Sequence, residues 1–133
     1  MSYKASVLFA PSSNMSLQEV EVKLLSFLSN NSVQRSVSTQ RRNNKLVLTF
    51  GNWSLYIYLN SEPQVLAESQ EMADIFAQNH PDKAVIATCD SRFEISCDPD
   101  NSMNHFNDYV LVIEQLSKIP GAFVFDDASQ KYV

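Results

Sequence analysis

The stretch Lys45 to Leu59, KLVLTFGNWSLYIYL, constrains the fold more than any other. Two runs rich in aliphatic and aromatic residues flank Gly51-Asn52, a pair suited to a two-residue type II′ hairpin turn, with glycine where φ must be positive. That turn sets Phe50 opposite Trp53, Leu48 opposite Leu55 and Leu46 opposite Ile57 on one face. Val47, Thr49, Ser54, Tyr56 and Tyr58 fall on the other. A sheet with one apolar face must be covered, so other elements of the chain have to pack there.

Three segments carry helical spacing. Ser16-Leu-Gln-Glu19 has capping-box form, and Leu17, Val20, Leu24, Phe27 and Leu28 follow as an apolar stripe to about residue 29. Ser61-Glu-Pro-Gln64 starts a second helix, with Val65, Met72, Ile75 and Phe76 as its stripe, ended by His80-Pro81. The third follows the loop Asp98 to Ser102, with Phe106, Tyr109, Val110, Ile113 and Leu116 facing inward and Pro120-Gly121 as its stop.

The remaining segments read as strands. These are residues 3–10, an edge strand over 32–40, and the closing run AFVFDD. KAVIATCDSRFEISC, residues 83–97, reads as a second hairpin turning at Asp90-Ser91, with Ile86 opposite Ile95, Thr88 opposite Phe93, Ala87 opposite Glu94 and Cys89 opposite Arg92. The expected order is β-α-β-β-β-α-β-β-α-β: an α+β fold, with a mainly antiparallel sheet and three helices packed on one face. From Trp53 onward the order β-α-β-β-α-β is ferredoxin-like. With 133 residues, 44% apolar, and only two glycines and five prolines, residues 1–133 are expected to form one domain with a sizeable core.

A net charge of −5 argues against a general affinity for nucleic acid or anionic membrane. MSYKASVLFA lacks the basic and long apolar regions of a signal peptide, and no apolar run is long enough to span a bilayer, so a cytoplasmic protein is expected. Cys89 and Cys97 then read as reduced thiols.

Chemistry-bearing patterns are sparse. Cys89, Asp90, Glu94, Cys97, Asp98, Asp100 and His105 crowd one stretch, but the cysteines lack zinc-knuckle spacing. Read as a calcium loop from Asp98, the chain has Met103 at the glycine position and Tyr109 at the bidentate glutamate position. No metal or cofactor is therefore expected, and helix capping accounts for these residues. A thiol nucleophile would have to pair Cys89 or Cys97 with His80 or His105; Cys89, beside the turn and across from Arg92, is the better placed for a depressed pKa. Arg35, Arg41, Arg42 and Lys45 form the one basic concentration, which on an edge strand protects against unwanted pairing.

The sheet face opposite the helices is the candidate site, with Tyr56, Tyr58, Arg92 and Glu94 as partner-binding residues. Tyr and Arg combine large contact area with hydrogen-bonding tips, which interfaces favour. The bland reading of the same residues is solvated sheet with an Arg92–Glu94 pair. The expected function is a non-enzymatic protein-binding module for a partner protein or for a second copy as a homodimer. The alternative is a small-molecule binder or hydrolase-type enzyme in a cleft between that face and the 98–105 loop, using Arg92, Glu94 and His105.

Overall fold

The computed structural model describes residues 3–11, 13, 15–31 and 37–133. Arg35 and the first half of the expected edge strand lie outside these described residues. The elements run β1 (Lys4–Phe9), α1 (Leu17–Asn31), β2 (Val37–Arg42), β3 (Lys45–Phe50), β4 (Trp53–Asn60), α2 (Gln64–Phe76), α3 (Lys83–Ile86), β5 (Ser91–Cys97), α4 (Phe106–Ser117), β6 (Ala122–Asp126) and β7 (Lys131–Tyr132). The seven strands among the described residues form one antiparallel sheet in the order β2-β3-β4-β5-β1-β6-β7.

The α+β class and the first hairpin follow the expectation. Gly51 sits at φ 65° and Phe50 pairs with Trp53, Leu48 with Leu55 and Leu46 with Ile57. At the start of α1 the capping box is made in both directions: the Glu19 N–H donates to Ser16 Oγ at 3.1 Å, and the Ser16 N–H to Glu19 Oε1 at 3.4 Å.

Three expectations are corrected. The 83–97 segment is not a hairpin, because residues 83–86 form a turn of helix and β5 pairs with β4 and β1 instead. Ile86 and Cys89 are buried together while Thr88 is exposed, a spacing of three that fits a helical turn and not alternation. The ferredoxin-like order fails with it, since β4 and β5 are direct neighbours joined through α2 and α3, and β1 lies between β5 and β6.

The helices, four among the described residues, cover both faces rather than one. α1 and α4 pack on the face bearing Val7, Phe9, Leu46, Leu48, Leu55, Ile57, Phe93, Ile95 and Val124. α2 and α3 bring Ala73, Ala77, Ile86 and Cys89 onto Leu8 and Phe125 of the opposite face. The reason is in the strands: VLF in β1 and AFVF in β6 are apolar at consecutive positions, as strands covered on both sides must be. β3 and β4 alternate and need cover on one side only.

In α2 Val65 is buried and Met72 and Phe76 pack against this second cluster as expected, but Ile75 does not. Val65, Ser69 and Ala73 are its buried positions, small enough in the middle for close approach, and Ile75 is 62% exposed. In α4 the buried set is Asp108, Tyr109, Val112, Gln115 and Leu116, and Phe106 is exposed.

Candidate functional site

α2 and α3 cover the β1, β6 and β7 side and reach β5 at Arg92, so the same face stays open from β2 to the Glu94 end of β5. The register lines up one row of side chains across it: Arg42 beside Lys45, Lys45 beside Tyr58, and Tyr58 beside Glu94. The next row runs Gln40, Val47, Tyr56, Ser96 and Lys4. Tyr58 is 38% exposed, whereas Tyr56 is half-buried.

Tyr56 is held in place. Its hydroxyl donates to Asp98 Oδ1 at 2.8 Å, Asp98 Oδ2 accepts the Ser54 N–H at 3.0 Å, and the Lys45 ammonium lies 4.8 Å from the ring centre. The hydrogen bond to Asp98, then burial, raises the Tyr56 pKa, so the hydroxyl remains a donor.

Arg92 anchors the helix layer. Its Nε donates to Glu94 Oε2 at 2.8 Å and its Nη2 lies 3.3 Å from Glu68 on α2, with the side chain only 13% exposed. Asn60 Nδ2 also donates to Glu94 Oε2, at 3.0 Å. The intrastrand Arg92–Glu94 pair of the bland reading is therefore present, and Arg92 is committed to tying β5 to α2.

Lys4, Ser6, Tyr58, Glu94, Ser96 and Asp127 line a cavity of about 290 Å³ on this face. Burial, then the neighbouring Asp126 carboxylate, pushes the Asp127 carboxyl above its ordinary range, and Lys4 and Arg92 offset this only in part. A carboxyl raised in the folded state disfavours folding once ionised, so stability falls as pH rises from the unfolded value, about 3.9, through the folded one. Asp127→Asn is expected to raise the Tm at neutral pH and to flatten that acid-side dependence in thermal unfolding scans.

A second constellation lies at the 98–105 loop. Asp100 is buried, and burial alone would raise its pKa. Donation from the Tyr3 hydroxyl at 2.7 Å and the His105 N–H at 2.9 Å outweighs this and holds the carboxyl below its usual range. The Tyr3 hydroxyl is itself pushed up to about 12, by burial and then by Asp100. His105 stacks on Trp53 with ring centres 4.8 Å apart and planes 2° from parallel, and its Nδ1 is 3.0 Å from Asp108 Oδ2. Asn52, Trp53, Asp100, Ser102, Asn104 and His105 are among the residues lining a separate cavity of about 280 Å³ there.

The structure thus brings Tyr56, Tyr58 and Glu94 onto one open face with Arg92 at its boundary. His105 belongs to the other cavity, so the two sets do not form one cleft. Burial pushes the Cys89 thiol up to about 11 and the Cys97 thiol up to about 12, opposite to the depressed pKa that a thiol nucleophile at Cys89 would need. Among the described residues no group of three His, Cys, Asp or Glu is placed to hold a metal ion, and no helix is long and apolar enough to cross a membrane. Sequence reasoning missed Tyr3 and the Trp53–His105 stack, because the first depends on the start of β1 and the second on the start of β4 meeting the 98–105 loop across the fold. From sequence, Asp98 and Asp100 read as caps in preference to metal ligands, and neither carboxylate's tyrosine partner is foreseen. No family model matches the chain, and comparison with curated proteins and with solved structures finds no match.

Proposed function

We propose that the chain is a cytoplasmic, non-enzymatic module that binds protein through the open sheet face between β2 and β5. The observation that carries this reading is the half-covered face itself: helices close it over β1 and β6 and leave a row centred on exposed Tyr58. Tyr58, with Tyr56 fixed beside it, offers rigid aromatic area at low entropic cost, and Glu94 supplies a charge whose position is already set by Arg92 and Asn60. Arg92 acts as a positioning residue for Glu94, not as a direct contact.

The test is photo-cross-linking with benzoylphenylalanine in place of Tyr58, compared with the same group in place of exposed Val22 on α1, in an extract of the source cells. A discrete adduct is expected from position 58 alone, competed by wild-type protein and not by Tyr58→Ala. That variant should lose less than about 1 kcal/mol of stability, because the residue is on the surface. Identical adducts from both positions, or none from position 58, would overturn the reading.

A further inference from the structure

The open face is polarised. Its row starts with two cations at the sheet edge, Arg42 and Lys45, passes through Tyr58, and ends at Glu94, with Asp127 at the adjoining cavity. Lys4, Arg42 and Lys45 stand against Glu94, Asp98 and Asp127 on this face, so it is balanced in charge although the whole chain carries −5. Two copies repel one another over most of their surfaces and not here.

Resting on the protein-binding reading, we propose that the occupant of this face is a second copy of the chain, related by a two-fold axis running along the strands between β3 and β4. That operation lays β2 over β5 of the other copy and β3 over its β4. Arg42 of each copy then meets Glu94 of the other, Lys45 lies over Tyr58, and Val47 lies over Tyr56, so every contact is made twice. α2 reaches β5 at Arg92, two residues from the Glu94 row, and α2 and α3 otherwise lie over β1 and β6, so they flank edge strand β2 of the opposite copy beyond its Arg42 end.

The size of the overlap sets the strength. Four strands about 4.8 Å apart and about six residues long, at about 3.3 Å each, give about 400 Å² per copy. Standard interfaces bury about 800 Å² per partner, so the pair is weak, concentration-dependent and salt-sensitive.

The charge row gives a direct test. Arg42→Glu alone sets glutamate against Glu94 in both contacts, and Glu94→Lys alone sets lysine against Arg42 in both. An equimolar mixture of the two variants has opposite charges in both contacts. By sedimentation equilibrium, each variant alone should dimerise at least about 10-fold more weakly than wild type, and the mixture should return to within about 3-fold of it. Circular dichroism checks that Glu94→Lys, which removes a partner of Arg92, still folds. Should it not, the cross-linker at position 58 serves in its place and must map to residues 45–50 of a second chain. A wild type that stays monomeric to about 1 mM, near the weak limit of specific association, overturns the proposal, as does a dimer indifferent to both charge reversals. An adduct with a foreign protein from a monomeric wild type sinks the second copy but leaves the protein-binding reading standing, whereas no adduct at all removes both.

Discussion

Trp53→Ala is expected to lower stability by about 3–5 kcal/mol in chemical denaturation, one of the largest single losses available in this chain. Trp53 opens β4, is buried, and packs against Phe50 at 5.8 Å and Tyr3 at 6.4 Å between ring centres. Its indole N–H donates to the Asp98 carbonyl at 2.9 Å and its ring carries His105. Removing it leaves a cavity beneath the 98–105 loop and strips the stack from the start of α4. The loss should come with a change in the His105 ring resonances, which report the stack directly. Trp53→Phe retains most of the packing but not the N–H, and about 1–2 kcal/mol is expected for it. Equal losses for the two variants would show that the hydrogen bond, not the ring, holds the loop.

Phe93→Ala is expected to cost a similar 3–5 kcal/mol or thereabouts, for a different reason. Phe93 is fully buried under the α1 and α4 layer with Phe9 at 5.0 Å between ring centres. Its chain neighbour Arg92 points to the other face, where both carboxylate partners are more than a third exposed. Solvent screens such pairs, so Arg92→Met should cost only about 1 kcal/mol by the same measurement. Adjacent positions in one strand therefore differ several-fold in effect. If Arg92→Met proved as costly as Phe93→Ala, the tie between β5 and α2 would be a core element of the fold and not an anchor at its margin.

How far the sequence could be read depended on how local each signal was. The β3–β4 hairpin was legible to the residue because Gly51-Asn52 and the alternation on either side fix register without outside help. The Arg92/Glu94 face of β5 was legible for the same reason, and so was the capping box of α1. The 83–89 segment was not, since Lys-Ala-Val-Ile-Ala-Thr-Cys satisfies an alternating pattern and a helical one almost equally, and burial against α2 decides between them. The placement of α2 was available in principle. Consecutive apolar residues in β1 and β6 imply cover on both faces, whereas the expectation of helices on a single face took its lead from the alternating strands. On the open face, Tyr58 could be named from the hairpin register and Glu94 from the alternation within its own strand. What could not be named was the boundary of their open face, because it is set by where α2 stops.

The position of β1 has a kinetic consequence. It is the first strand in the chain, yet it lies between β5 and β6, whose residues come more than half the chain later. The β2–β3–β4 meander can form from local pairing alone, but β1 has no neighbour until β5 arrives, and α4 and β6 must follow before its second edge is closed. Such long-range closure carries a large entropic cost before any contact repays it, so the meander should appear early in refolding and the central strand late. Until then the apolar run of β1, destined for burial on both sides, is the part of the chain most open to pairing with the wrong neighbour.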